Sequence, residues 1–190
     1  FSYLSLYTVG KIFNGAGLRI YDVEELTSHG GSLRVYGCHK DADIETTSFV
    51  SEVLSQEEKM GLRKPQTYES FQASADKIKD DLLMFLINCK KQGKSVAAYG
   101  AAAKGNTLLN YAGVKKDLLP FVCDAAASKQ GKYLPGSHIP IFAPEVLKEN
   151  APDYVLVLPW NLLPEIREQL GYLTKHNTKF VIAVPELEIV

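Results

Sequence analysis

Three cysteines, two methionines and a single tryptophan in 190 residues are the scarcest side chains of this chain. Cys38, Cys89 and Cys123 offer no C-x-x-C spacing and are odd in number. Neither a disulfide scaffold nor a zinc site made by this chain is therefore expected, and a reducing cytoplasm is the natural compartment. An excess of one charge is also missing, since 21 Lys and Arg face 22 Asp and Glu for a net charge of -1. Without a basic patch to neutralise phosphates, a nucleic-acid partner is not expected. No apolar run approaches the roughly 20 residues of a membrane helix, and no signal-peptide pattern opens the chain, so no membrane partner is expected either. Internal repeats and low-complexity segments are absent. What is present is an ordinary globular composition, 46% hydrophobic and 23% charged, able to bury a core as one large domain or two small ones.

One stretch organises the rest: residues 94–110, KSVAAYGAAAKGNTLLN. An apolar strand over residues 95–99 runs through a small-residue loop towards a helical pattern that starts at Thr107 and closes at Gly113. Gly100 and Gly105 allow tight turning and close backbone approach. A helix starting there would aim unpaired N–H groups and a positive dipole end at an anion over the loop. The dinucleotide fingerprint G-x-G-x-x-G and the P-loop G-x-x-x-x-G-K-[ST] are both near misses, because Gly105 is followed by Asn106 and Thr107 and Lys104 precedes the second glycine. A plainer reading makes residues 101–103 small only because strand and helix pack closely.

Before this stretch, Val9, Ile12 and Phe13 predict a short helix over residues 8–16. Residues 18–23 and 32–38 alternate as an antiparallel hairpin with a polar tip that carries His29. Phe49, Val50, Val53 and Leu54 predict a short helix, and the capping-box pattern of residues 55–58 predicts another short helical turn. Residues 63–65 mark a boundary between a first unit, 1–65, and a second, 66–190. The second opens on the clearest helix of the chain, with Tyr68, Phe71, Ala75, Ile78, Leu82, Phe85, Leu86 and Cys89 at spacings of three and four, Thr67 as cap and Gly93 as stop.

Beyond it, residues 118–124 predict a buried strand ending in Asp124, about 20 residues past Gly105, where a dinucleotide fold places its ribose-binding acid. Two roles are open to Asp124: a ribose ligand, or a cap on the next turn through Ser128. The loop that follows carries Lys129, Lys132, Tyr133 and His138 among glycines. Residues 139–142 predict a strand, Pro144 starts a helix, and residues 154–158 form the unbroken apolar run of a central parallel strand. That run stops at Pro159, so Trp160 and Asn161 stand at its carboxyl end, where ligands bind in open α/β sheets. A helix over residues 164–173 and a strand over 180–184 complete the alternation. The fold class expected is α/β: a Rossmann-like parallel sheet with helices on both faces, preceded by a small α+β segment containing the antiparallel hairpin.

Residues 99–110 (YGAAAKGNTLLN), 129–140 (KQGKYLPGSHIP) and 158–161 (LPWN) together resemble the C-terminal domain of the sugar C-methyltransferases, which use S-adenosylmethionine to methylate carbon atoms of nucleotide-linked deoxysugars. Residues 1–6 (FSYLSL) and 29–34 (HGGSLR) resemble the part just before that domain, so the resemblance covers nearly the whole chain. It implies a parent enzyme with a zinc-binding N-terminal segment, a central domain holding S-adenosylmethionine, and a C-terminal Rossmann-like domain that helps enclose the nucleotide-sugar. The base motif, the cofactor loop and the zinc cysteines of that plan would precede Phe1. By the resemblance, residues 1–65 end the central methyltransferase domain and 66–190 form the C-terminal domain, a fragment that should bind neither S-adenosylmethionine nor zinc alone and should not methylate alone.

Methylation at carbon needs a base beside an acidic C–H and an electrophilic methyl facing it. The role left for residues 66–190 is binding. The resemblance and the loop positions name Gly100, Lys104, Gly105, Asn106, Asp124, Lys129, Lys132, Tyr133, His138, Trp160 and Asn161 as candidates to hold pyrophosphate, sugar or base. His29 is the one catalytic candidate, and no metal ligand is expected. The partners implied are the nucleotide-sugar and the upstream methyltransferase domain, and an orphaned hairpin edge invites self-association. Two other readings remain at this stage: a dinucleotide- or coenzyme-A-binding domain of another enzyme, and a structural or assembly domain with no ligand.

Overall fold

A computed structural model describes residues 3–27 and 31–190, so His29 lies outside the described residues. The chain divides into two compact units, Phe1–Gln72 and Ala73–Val190.

In the first unit, α1 (Leu6–Gly15) starts two residues ahead of the predicted helix because Ser5 caps it, its hydroxyl accepting the Thr8 N–H at 3.2 Å. β1 (Leu18–Leu26) and β2 (Ser32–His39) pair antiparallel, with Val23 opposite Val35. A small core gathers Leu6, Val23, Val50 and Val53. The capping-box pattern at residues 55–58 starts no new helix. α2 runs unbroken over Ser48–Lys59, and within it Glu57 turns inward, its carboxylate accepting the N–H groups of Leu6 and Tyr7 at 2.5 and 3.0 Å. The helix it caps is α1, far away in sequence.

The predicted helix at the unit boundary is two helices, α3 (Gln66–Glu69) and α4 (Phe71–Lys91), broken at Ser70. Leu82, Leu86 and Cys89 of α4 are buried, and Gly93 turns the chain at φ +68°. Six strands follow: β3 (Val96–Tyr99), β4 (Val122–Cys123), β5 (Ile141–Phe142), β6 (Tyr154–Val157), β7 (Lys179–Ile182) and β8 (Glu188–Ile189). Their order is β5-β4-β3-β6-β7-β8, parallel throughout except for β8, which runs against β7.

In order of appearance this is the 3-2-1-4-5-6 arrangement of a doubly wound, Rossmann-like sheet, whose winding reverses between β3 and β6. Successive residues of β3 serve opposite faces. Ala98 joins Leu82, Leu109, Val122 and Leu156 on one side, while Ala97 and Tyr99 join Leu147, Val155, Ile166 and Phe180 on the other. Helices α4 and α5 (Ala103–Tyr111) cover the first face, α6 (Glu145–Asn150) and α7 (Leu163–Gln169) the second. A strand covered on both faces reads as the unbroken apolar run seen at residues 154–158. The polar two-residue β8 carries no such signal. Among the described residues no helix is long and apolar enough to cross a membrane.

Candidate functional site

At the carboxyl edge of the reversal point, β3 delivers Gly100 and β6 delivers Leu158, Pro159, Trp160 and Asn161. Gly100 has φ +87°, and a Cβ there would stand 2.5 Å from Pro159 Cδ. α5 begins at Ala103, four residues ahead of the predicted Thr107, so Gly105 lies inside the helix and not in the loop. A Cβ on Gly105 would stand 2.5 Å from Leu158 Cβ. Both glycines thus sit where loop and helix come close to the exit of β6, and a side chain at either would meet Pro159 or Leu158.

Lys104 lies in the first turn of α5. Its half-buried ammonium donates to the Asn161 side-chain oxygen and sits 4.4 Å from the centre of the Trp160 ring. Burial pushes the Lys104 ammonium down, with no acid to lift it. Trp160, in the 3-10 turn Trp160–Leu162, packs against the cores on both faces of the sheet and so lies across the reversal point. Two residues beyond Lys104 in the same helix, the Asn106 side-chain oxygen is buried with no hydrogen-bond partner.

Asp124 follows β4 and is 7% exposed. Its carboxylate accepts the Ala101 N–H at 2.6 Å, the Ala126 N–H at 2.8 Å and the Lys129 ammonium at 3.0 Å. Burial pushes this carboxyl up, but donation from Ala126, Lys129 and Ala101 outweighs it and holds the group below the ordinary carboxylate range. The cap is made to Ala126 in place of the predicted Ser128. Both oxygens are engaged by the protein, the arrangement of a cap and loop tether.

Lys132, Tyr133 and His138 belong to a separate loop. Tyr133 pairs with Pro140 in an isolated bridge, the Leu134 N–H donates to the Ile139 carbonyl, and His138 is left-handed at φ 57°. The loop is pinned to α5 and the chain just after it by Asn110, whose amide donates to the Pro135 carbonyl at 2.9 Å, and by Lys115, whose ammonium donates to the Gly136 carbonyl at 2.7 Å. Tyr133 is 63% exposed. No hydrogen bond or ring contact joins these three side chains to Lys104, Trp160 or Asn161.

The structure therefore brings together Gly100, Lys104, Gly105, Trp160 and Asn161, joined through Ala101 to Asp124 and Lys129, with Lys132, Tyr133 and His138 apart. Sequence reasoning gave Ala101, Leu158 and Pro159 no part in the site although the quoted motifs contain them, because their parts are played by backbone and apolar surface. Among the described residues no group of three or more His, Cys, Asp or Glu gathers where it could hold a metal ion.

Residues 27–185 match the family model of the C-methyltransferase C-terminal domain. The whole chain is 35% identical to the C-methyltransferase NovU of Streptomyces niveus and spans 45% of that protein's length. It is also similar to a solved structure of UDP-D-quinovosamine 4-dehydrogenase from Vibrio fischeri, at 21% identity and a TM-score of 0.40, over 51% of this chain and 93% of that one. With most of its length inside the family match, this chain belongs to the C-methyltransferase C-terminal domain family.

Proposed function

We propose that this chain is the C-terminal part of an S-adenosylmethionine-dependent C-methyltransferase acting on a nucleotide-linked keto-deoxysugar, and that it binds the nucleotide-sugar without performing the chemistry. The observation that carries this reading is the cluster of Lys104, Trp160 and Asn161 at the carboxyl edge of β3 and β6, the edge at which open α/β sheets take their ligands. The family supports the reaction class, and NovU is itself named a C-methyltransferase.

S-adenosylmethionine supplies an electrophilic methyl when bound. The described residues do not fit it or a zinc ion: the Ala101 N–H of the glycine loop is taken by Asp124, Gly100 is walled by Pro159, and no metal-holding cluster forms among them. Cofactor and zinc are accordingly assigned to other segments of the parent enzyme, with no step routed through this unit. In this reading Lys104 and Asn161 orient the ligand, the unpaired Asn106 oxygen takes a donor from it, and the Trp160 face offers stacking surface for a base or sugar ring. Asp124 and Lys129 hold the loop in shape. Lys132, Tyr133 and His138 form an outer loop free to contact the far end of a long ligand.

The test is steady-state kinetics of the intact enzyme. Asn106→Ala and Trp160→Ala are expected to raise KM for the nucleotide-sugar about tenfold while kcat changes less, the pattern of lost uniform binding. Unchanged kinetics in both variants would remove this edge from the binding site.

A further inference from the structure

Lys77, Lys79, Lys90, Lys94 and Lys129 each pair with an aspartate. Lys104 is different. It is half-buried, yet its ammonium meets only neutral groups, the Asn161 side-chain oxygen and the Trp160 ring, and no carboxylate among the described residues pairs with it.

Taking an ammonium part-way out of water is unfavourable unless an anion compensates it. A ring face offers roughly 1–2 kcal/mol at a partly desolvated site, and a neutral amide oxygen gives a weaker hydrogen bond than a carboxylate or phosphate. The first turn of α5 adds to the deficit, because the positive end of a helix dipole opposes a cation. The protein thus holds a cation whose countercharge it does not provide, at the sheet edge where a ligand is expected.

We infer that the Lys104 ammonium receives a phosphate or diphosphate group of the ligand, which replaces Asn161 and the indole face as its partner. The inference rests on the reading above that this edge binds a nucleotide-sugar, and it specifies which part of that ligand lies here. It also makes binding visible, since Trp160 is the one tryptophan of the chain. Moving the ammonium away from the ring alters the electrostatic environment of the indole.

Inorganic pyrophosphate is titrated into the 190-residue chain while tryptophan emission is followed, with sodium acetate at matched ionic strength in a parallel arm and calorimetry as a second readout. A saturable emission change with pyrophosphate and none with acetate is expected. Lys104→Met, which keeps the apolar stem, is expected to bind pyrophosphate at least about tenfold more weakly, and Lys104→Arg within about threefold of the parent chain. Equal binding by Lys104→Met, an equal response to acetate, or the absence of pyrophosphate binding overturns the inference. The two readings fail separately. Pyrophosphate titrating through Lys104 in an enzyme whose nucleotide-sugar kinetics ignore Asn106 and Trp160 supports this inference and removes the other. Kinetics that depend on those residues, with pyrophosphate indifferent to Lys104, do the reverse.

Discussion

The carboxylate of Asp124 accepts the backbone N–H of Ala101 at 2.6 Å, across 23 residues of sequence. In an anion-binding glycine loop that N–H would be offered to a ligand. Here the protein fills the position with its own negative charge and fastens the loop after β3 to the turn after β4. The cradle is closed at its base, so in the proposed reading the ligand meets the edge at Lys104 and Asn161.

Asp124→Ala should therefore destabilise the second unit by about 1–2 kcal/mol, because it leaves the half-buried Ala101 and Ala126 N–H groups without their acceptor. Asp124→Asn keeps an acceptor oxygen and should lose less. Denaturant unfolding of both variants measures this; an Asp124→Ala midpoint equal to that of the parent chain would show that the tether contributes nothing.

What the sequence made legible was local. The stripe of Leu82, Leu86 and Cys89 marks α4, and the run through Val155, Leu156 and Val157 marks a doubly covered strand, because 3.6- and 2-residue periods and continuous burial are written along the chain. The start of α5 was hidden, since Ala102 provides no side-chain cap and Gly105 reads as a breaker although it sits in the helix. Lys104, Trp160 and Asn161 were each singled out by residue type and position. Their meeting depends on β3 and β6 being neighbours, a pairing fixed by sheet order and not by sequence spacing. The partner of Asp124 is a backbone group, and backbone groups carry no sequence signature.

Gly105 gives a prediction whose sign runs against helix propensity. Alanine in a helix interior is favoured over glycine by about 1 kcal/mol, but here its Cβ would meet Leu158 Cβ at 2.5 Å and Cγ at 3.1 Å. Overpacking of this kind costs about 1–3 kcal/mol, so Gly105→Ala should lower the melting temperature. Gly15→Ala at the end of α1, where an added Cβ would meet nothing within 4 Å beyond its chain neighbours and its own helix backbone, should be neutral or slightly stabilising. A rise in stability for Gly105→Ala would show that helix and strand can separate there at little cost.

Glu57 joins α2 to the first turn of α1 in the first unit, accepting two N–H groups that no residue of α1 can satisfy. Glu57→Ala should cost about 2 kcal/mol and loosen α1 ahead of the hairpin. Hydrogen exchange reads this directly. The Leu6 and Tyr7 amides should exchange faster in the variant while amides of β6 are unaffected, and uniform protection in both chains would remove Glu57 from the cap.

Asp153 ties together the entry ends of β3 and β6. Its carboxylate accepts the Lys94 ammonium, the Ser95 N–H and the Ser95 hydroxyl at 2.8, 2.8 and 2.9 Å. The Lys94 ammonium first, then the two Ser95 donors, hold its pKa down to about 2. A folded-state pKa below the unfolded one means that the unfolded chain binds the proton more readily. The stabilisation is therefore complete above the unfolded carboxylate value, near pH 4, and is lost as pH falls towards 2. Partial exposure lets water and salt screen the pair, so the contribution should shrink as salt is added. Asp153→Asn should be less stable than the parent chain at pH 7, and the gap should narrow between about pH 4 and pH 2. Denaturant midpoints across that range test it, and two curves that stay parallel from pH 7 to pH 2 would assign the depressed pKa no part in stability.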